Sequence, residues 1–375
     1  MQAIHFAAVV PLLLLAPLAC QSTGTDPVEV RGVWIPNTDT TFFDSRANVA
    51  AGCEALATAG VNVIFPVVWS KGYTLFHSEV VGELIGAAVD PRYAGRDPLA
   101  EVVFEAHRHG IEVVPWFEYG FAAGHVRFPG RVLERRPDWA ALGADGEPVV
   151  KNGFQWMNAF DPKVQEFVTA MVLEVARNYD VDGVQGDDRL PALAVEGGYN
   201  HAVAAAWRKA HGSAPPADCR ESGWVRWRAD RLTGYLAKLR AAVKAVDPGL
   251  AFTMAPGAPN WAYTEYLQDQ RTWVERGLVD SLHPQAYARS LAGYEKMVDD
   301  ILAIEWIGRR RDLLAPGVLI SIADWFADGE LAVGAVAAGR RRKLAGEVWF
   351  FHEGLVRKDG AVGRGLAAGP YARRA

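Results

Sequence analysis

Cysteine is scarce in this sequence of 375 residues, which contains three. Cys53 and Cys219 are far apart and have neither a redox nor a zinc-binding spacing, so no disulfide framework is predicted. No two histidines have the His-x-x-x-His spacing of a helical metal site. We therefore expect no metal and no cofactor, and a metal-dependent hydrolase is a weak alternative.

Positive charge is also in short supply, because 39 Lys and Arg residues face 44 Asp and Glu residues, giving a formal net charge of −5. Binding to the phosphate backbone of a nucleic acid needs a positive field, which this balance does not provide. Half of the residues are hydrophobic and 22% are charged. That composition excludes a disordered chain and indicates a globular protein with a large core.

A long hydrophobic run occurs at Ala7 to Ala19, and it is too short to span a bilayer. A polar stretch follows it, which is the layout of a signal peptide. We interpret residues 1–20 as a signal peptide whose last three residues, Leu18-Ala19-Cys20, resemble a lipobox, and residues 21–30 as a linker. The protein is then exported, either as a periplasmic or membrane-anchored lipoprotein lipidated at Cys20, or as a secreted protein in which Cys20 is incidental. Membrane contact would be limited to that lipid anchor.

The rest of the sequence repeats a β-branched or aromatic segment, a loop and an amphipathic helix. Such alternation is typical of parallel strands joined by right-handed crossovers. Asp97-Pro98 and Asp161-Pro162 each combine an N-cap residue with proline at the first helical position. The predicted strands are Arg31–Ile35, Val61–Trp69, Ile111–Phe117, Val181–Asp187, Leu250–Ala255, Val279–Pro284, Leu314–Ile322 and Glu347–Phe351.

Eight strands is the number of a (β/α)8 TIM barrel. We predict an α/β fold with one such barrel over residues 31–355 and a flexible tail over residues 356–375. Its strand-to-helix loops are extended, above all the one from Leu190 to Ser222.

Carboxylates and aromatic residues dominate the predicted carboxyl ends of the strands, where barrels place their active sites. Aromatic planes stack on sugar rings, and polar side chains bind sugar hydroxyls, so the mixture favours a polysaccharide cleft. Alternatively, the aromatic residues only cap the barrel core. The predicted stacking surfaces are Trp69, Trp116, Trp261 and Trp325, and the predicted polar contacts are Asn37, Lys71, Asp188, Gln285 and Tyr287.

The fourth strand supplies the candidate nucleophile. Strand alternation places Gln185 and Asp187 on one face and Val184 on the other. Because Val184 belongs against the helices, Asp187 should face the barrel mouth, where a retaining glycosidase needs an ionised carboxylate. Asp187 and Asp188 could instead only cap the next helix or pair with Arg189.

Two glutamates are candidates for the general acid. Glu118 and Glu353 each follow an apolar segment, and an apolar setting raises a carboxyl pKa as a general acid requires. Glu265 ranks third, because the electrostatics of a helix start account for it. The sequence leaves the choice between Glu118 and Glu353 open.

Six segments together form a recognisable series: Arg31–Ile35, Phe65–Phe76, Glu105–Gly110, Pro115–Phe121, Asp182–Asp188 and Pro284–Tyr287. They resemble the successive signature blocks of glycosyl-hydrolase-like family 10. The resemblance implies a barrel related to those of α-amylase-like and α-galactosidase-like hydrolases, with the aspartate that ends the fourth strand as nucleophile, here Asp187. It also implies that the substrate is a cell-envelope or extracellular polysaccharide, since some members act on peptidoglycan strands that lack stem peptides.

This sequence departs from the family pattern at Gly186, where an aromatic residue is usual, and at Arg189, where His or Tyr is usual. The expected function is hydrolysis of O-glycosidic bonds. The alternative is a non-catalytic carbohydrate-binding lipoprotein on the same barrel. The two differ in whether Glu118 or Glu353 faces Asp187 across the cleft.

Overall fold

The computed structural model describes residues 28–373, so the predicted signal peptide with Cys20 and most of the linker lie outside the described residues. Eight parallel strands follow the predicted order along the chain. Each overlaps its predicted segment. Their bounds are β1 Val30–Ile35, β2 Val63–Pro66, β3 Glu112–Val113, β4 Gly183–Asp187, β5 Ala251–Ala255, β6 Ser281–Leu282, β7 Gly317–Leu319 and β8 Gly346–Phe350.

The strands form two parallel sheets, with the orders β7-β8-β1-β2-β3 and β4-β5-β6. Single parallel bridges connect the edges of these sheets. Trp116, just after β3, pairs with Gln185 in β4, and Gln285, just after β6, pairs with Gly317 in β7. The fold is therefore mixed α/β with parallel strands in chain order.

The helices alternate with the strands, and Asp97 and Asp161 cap α3 and α5 by accepting backbone N–H groups of Ala100 and Lys163. The predicted helix starts at these two sites are confirmed. The bounds are α1 Arg46–Thr58, α2 Glu79–Ile85, α3 Pro98–Arg108, α4 Val132–Arg135, α5 Pro162–Asn178, α6 His201–His211, α7 Ser222–Val246, α8 Pro259–Tyr266, α9 Gln270–Glu275, α10 Leu291–Leu302, α11 Glu305–Gly308, α12 Gly329–Arg341 and α13 Glu353–Ala368.

A polar layer crosses the interior between the sheets. Trp34 in β1 donates its indole N–H to Gln185 Oε1 at 2.6 Å, and Gln185 Nε2 donates to Thr253 Oγ1 in β5 at 3.1 Å. Gln185 is fully buried, so its amide would be costly without these partners. Val184 lies instead with Leu236 of α7, and the predicted alternation along β4 is confirmed.

Two of the predicted strands, the second and the seventh, give way to separate hairpins before their expected ends. Trp69–Ser70 leaves the path of β2 and pairs antiparallel with Tyr73–Thr74. Ser321–Ile322 likewise pairs with Trp325–Phe326 instead of extending β7. Each hairpin turns through a residue with a positive φ angle, +56° at Lys71 and +48° at Ala323, which stops the strand.

The predicted flexible tail is wrong for most of its length. Helix α13 continues to Ala368 and packs on α1 and α12. Beyond it, Tyr371 is buried, and its hydroxyl donates to Glu347 at the start of β8. Tertiary packing thus overrides the low helix propensity of this Gly-rich segment. Within residues 28–373, none of the helices has the length and apolar content needed to cross a membrane.

Candidate active site

Three carboxylates meet at one guanidinium where β3 and β4 end. Arg189 Nη2 lies 3.0 Å from Asp187 Oδ2 and 3.6 Å from Glu118 Oε1, and Arg189 Nη1 lies 2.7 Å from Asp188 Oδ1. Asp187 is 1% exposed, whereas the side chains of Asp188 and Glu118 are about one-fifth exposed. We call Glu118, Asp187, Asp188 and Arg189 the carboxylate cluster.

Burial and mutual repulsion shape the proton affinity of this cluster. Burial, and then the charge of Asp188, raise the pKa of Asp187 well above its ordinary value, while Arg189 lowers it. Burial also raises the pKa of Glu118, again against the effect of Arg189. The three carboxylates outnumber the one guanidinium, which favours retention of a proton within the cluster.

Backbone contacts between two loops fix the geometry of the cluster. Arg189 Nε donates to the carbonyl of Glu118 at 2.9 Å, and the N–H of Phe121 donates to the carbonyl of Arg189 at 2.9 Å. Gly120 has φ +47°, and a Cβ there would lie 2.2 Å from the Arg189 carbonyl oxygen. Only glycine allows the loop after β3 to approach the loop after β4 this closely.

The structure places Trp69 and Trp116 in the core, so the prediction that they stack on sugar is wrong. Trp69 is fully buried and donates its indole N–H to the Gly120 carbonyl at 3.0 Å, supporting the loop that carries Glu118. Trp116 is 4% exposed and packs against Trp34 with a ring separation of 6.4 Å. Neither ring presents a free face to a ligand.

Trp261 and Trp325 are accessible. Trp261 follows β5, is 46% exposed and packs edge-on against Tyr266 at 5.1 Å. Burial, and then the charge of Asp188, raise the Tyr266 pKa to about 12. Trp325 is half-buried in the hairpin after β7, 5.7 Å from the Arg289 guanidinium.

Two predicted polar residues lie directly against the cluster. Gln285 Nε2 donates to Asp187 Oδ1 and to the Ala255 carbonyl, both at 3.3 Å. Tyr287 is half-buried and stacks on Phe350 at 4.9 Å. Burial, and next the charge of Asp187, raise the Tyr287 pKa well above its ordinary value.

The other two predicted polar residues lie on the β1 and β2 side of the mouth. Asn37 is buried, accepts a hydrogen bond from Ser70 at 3.3 Å, and has a buried Nδ2 with no partner among residues 28–373. Lys71 Nζ donates to Thr38 Oγ1 at 2.7 Å, and burial lowers its pKa. Its ammonium lies 4.9 Å from the ring centre of Phe128.

Glu353 and Glu265 have partners of their own outside the cluster. Glu353 begins α13 and pairs with Arg357 at 2.9 Å, and neither a hydrogen bond nor an ion pair joins it to the cluster within residues 28–373. Glu265 lies near the end of α8, not at its start, and bonds with Arg220 and then Lys151 lower its pKa to about 2. The contacts therefore bring Glu118, and not Glu353, to Asp187.

Two aromatic residues that pack against Arg189 were not expected from the sequence. The guanidinium lies 4.5 Å from the ring centre of Phe154 and 5.7 Å from that of Tyr119. Phe154 belongs to a three-stranded antiparallel sheet inserted after β3, with strands Ala122–His125, Val150–Lys151 and Phe154–Trp156. These strands are too short to show a clear period in the sequence.

Within the described part of the chain, no group of three or more His, Cys, Asp or Glu side chains is arranged to hold a metal ion.

Comparison with known families gives a match over most of the chain. The model of the family described as Glycosyl hydrolase-like 10 matches residues 29–311. The chain belongs to this family. The family resemblance predicted from the sequence blocks is confirmed.

Curated relatives in the family carry glycosyl hydrolase names. Glycosyl hydrolase DigH of Escherichia coli K12 is 29% identical over 288 residues, which cover 68% of this chain and 60% of DigH. Glycosyl hydrolase YngK of Bacillus subtilis is 24% identical over 240 residues, covering 58% of this chain and 43% of YngK. The chain thus spans about 60% or less of the length of these relatives.

Solved structures with a similar fold include glycoside hydrolases. The glycoside hydrolase domain of PgaB (BpsB) from Bordetella bronchiseptica superimposes with a TM-score of 0.67 at 13% identity, covering 89% of this chain and 97% of that domain. The β-amylase catalytic domain from Paenibacillus polymyxa gives 0.65 at 12% identity, covering 93% and 100%. At these identities the likeness concerns the fold.

The structure explains why glycine occupies position 186. A Cβ at this position would lie 2.6 Å from the Leu190 carbonyl oxygen and 2.6 Å from Met254 Cε. The chain after Arg189 folds back over β4 and occupies the space that an aromatic side chain would need. The departures at Gly186 and Arg189 are thus parts of one local arrangement.

Proposed function

We propose that this protein is a retaining glycoside hydrolase with Asp187 as nucleophile and Glu118 as general acid and base. The observation that carries the proposal is that both carboxylates contact the same nitrogen, Arg189 Nη2, at 3.0 and 3.6 Å. Asp187 and Glu118 are therefore neighbours, and the accessible residues Trp261 and Trp325 follow β5 and β7. The proposal includes the closure of the two bridged sheets into one eight-stranded barrel, whose carboxyl end carries this site.

In the first step, Asp187 attacks the anomeric carbon and forms a glycosyl ester, while Glu118 gives its proton to the glycosidic oxygen. The carbon–oxygen bond of the substrate breaks, and the leaving sugar departs as an alcohol. In the second step, Glu118 takes a proton from water, whose oxygen attacks the same carbon and releases Asp187. The proton and both carboxyl groups are restored, and the anomeric configuration is retained.

The spacing of the two carboxylates supports this mechanism. Because both oxygens contact one nitrogen, their separation is no greater than the two contact distances combined. A retaining pair is about 5 Å apart, whereas an inverting pair is about 6.5–9.5 Å apart to admit a water molecule. The limit on this pair of oxygens admits the retaining distance.

The proposed substrate is a cell-envelope or extracellular polysaccharide, and peptidoglycan strands without stem peptides are the first candidate. Trp261 and Trp325 would stack on sugar rings at the rim, and Lys71, Asn37 and Tyr287 would bind polar groups of the substrate. Export, with lipidation at Cys20, is part of the same proposal because such substrates lie outside the cytoplasm.

Product analysis tests the function. Protein lacking residues 1–20 is incubated with denuded peptidoglycan and a panel of other glycans, and mass spectrometry identifies the fragments. We expect cleavage of one of these glycans by the wild type and by Glu265→Gln, a control acid outside the cluster, and at least about a 1,000-fold loss in Asp187→Asn. Retained binding by all three proteins without cleavage of any glycan would favour a carbohydrate-binding protein instead.

A further inference from the structure

Arg189 contacts all three carboxylates of the cluster, but not equally. Its closest approaches are to Asp188 at 2.7 Å and to Asp187 at 3.0 Å. Glu118 Oε1 is at 3.6 Å, which is too long for a hydrogen bond. The guanidinium therefore opposes the effect of burial on Asp187 through a charge-assisted hydrogen bond that Glu118 lacks.

The hydrogen bonds of Asp187 also favour its ionised form. Its Oδ2 faces Arg189 Nη2, and its Oδ1 faces Gln285 Nε2. The orientation of the Gln285 amide is set by the Ala255 carbonyl, which accepts from the same Nε2. Both oxygens of Asp187 thus face N–H donors, and a proton on either one would have no acceptor.

Arg189 cannot easily redistribute its contacts. Phe154 and Tyr119 lie beside its planar group at 4.5 and 5.7 Å, and its Nε is bonded to the Glu118 carbonyl. Its side chain is 11% exposed. A guanidinium held this way acts as a fixed charge whose position is set by the backbone of two loops.

We propose that Arg189 is the positioning residue that keeps Asp187 charged and leaves the shared proton on Glu118. One guanidinium balances one of the three negative charges, and the remaining repulsion is relieved where the guanidinium contact is weakest, at Glu118. The inference rests on the proposed function for the roles of the two carboxyl groups. In this way two neighbouring acids hold different protonation states.

The other titratable groups around the cluster do not supply this asymmetry. Lys71 contributes a positive charge near Glu118, which would favour the ionised form of that residue. Tyr119, Tyr266 and Tyr287 have raised pKa values and stay neutral near pH 7. Arg189 is therefore the group whose removal should change the order of protonation.

The first test needs no substrate. Carboxyl carbons are labelled with 13C and titrated by NMR in the wild type and in Arg189→Gln, with Glu118→Gln, Asp187→Asn and Asp188→Asn assigning the signals. We expect Glu118 to titrate at a higher pH than Asp187 in the wild type. In Arg189→Gln, Asp187 should titrate about one to three pH units higher. A wild-type Asp187 that titrates above Glu118, or no change in the variant, would overturn the inference.

The second test uses the pH dependence of cleavage of the glycan identified by product analysis. In Arg189→Gln the acid limb of the kcat/KM profile should move upward by about one pH unit or more, and Arg189→Lys should restore part of that shift because it keeps the charge. Arg220→Gln, which removes an arginine paired with Glu265 outside the cluster, should leave the profile unchanged. Lower activity of Arg189→Gln with an unmoved acid limb would mean that Arg189 has a structural role only. Absence of cleavage by the wild type would refute the proposed function, and the NMR titration alone would then test the role of Arg189.

Discussion

A buried carboxyl at the opposite end of the strands makes stability depend on pH. Glu347 lies near the start of β8, is 1% exposed, and accepts a hydrogen bond from the Tyr371 hydroxyl. Burial raises the pKa of Glu347 from 4.5 to about 8, and Glu29 adds to this, against the hydrogen bond from Tyr371 and the charges of Arg340 and Arg31. Between these two pH values the folded chain holds a proton that the unfolded chain releases.

The sign of the effect follows from this difference in bound protons. Stability should fall as pH rises from about 4.5 to about 8, by up to about 1.4 kcal/mol per pH unit and roughly 5 kcal/mol over the interval. Glu347→Gln keeps an oxygen that accepts from Tyr371 and has no proton to lose. The stability of this variant relative to the wild type should therefore increase across the same interval and level off above pH 8.

Urea unfolding at pH 5, 6, 7, 8 and 9 measures this difference, with Glu83→Gln as a control for an exposed carboxyl. Other carboxylates contribute equally to the wild type and the variant, so the difference isolates Glu347. A constant difference between Glu347→Gln and the wild type from pH 5 to pH 9 would refute the reasoning.

Three further predictions concern the loops around the site. Gly120→Ala places a Cβ 2.2 Å from the Arg189 carbonyl oxygen, so it should displace that carbonyl and lower kcat/KM about 100-fold. The circular dichroism spectrum should not change, and unchanged kinetics would contradict the role of this loop contact. Trp261→Ala should raise KM about threefold to tenfold with little change in kcat, and steady-state kinetics with an unchanged KM would exclude stacking there. Arg228→Met removes the donor to the carbonyls of Val195 and Gly197 and should lower the free energy of unfolding, measured with urea, by about 3 kcal/mol. A loss below about 1 kcal/mol would show that Arg228 does not stabilise the loop that contains Val195 and Gly197.

Much of the fold could be predicted because strand order depends on local patterns. The period of two along β4 identified the faces of Gln185 and Val184, and the Asp-Pro pairs identified two helix starts. The ends of β2 and β7 were less predictable, since an apolar segment does not show where a tight hairpin begins. Residues 356–368 were misjudged because their helix depends on packing against α1 and α12, which no local pattern reports.

The site was predictable in part. Asp187 and Glu118 could be proposed as candidates because Asp187 ends a buried strand and Glu118 follows one, at the end where barrels place chemistry. The roles of Trp69 and Trp116 could not be separated from those of Trp261 and Trp325, because an aromatic residue at a strand end is equally compatible with core and cleft. That distinction depends on partners distant in sequence, such as Gly120, whose carbonyl binds the Trp69 indole.

In the proposed mechanism, Asp187 forms a covalent ester with the sugar, while Glu118 donates a proton in the first step and accepts one in the second. Peptide-level mass spectrometry of the wild-type protein, quenched in acid during turnover, tests this step directly. The account predicts a glycosyl adduct on the peptide that contains Asp187 and none in Asp187→Asn. An adduct on Glu353, or products with inverted anomeric configuration and no adduct, would contradict it.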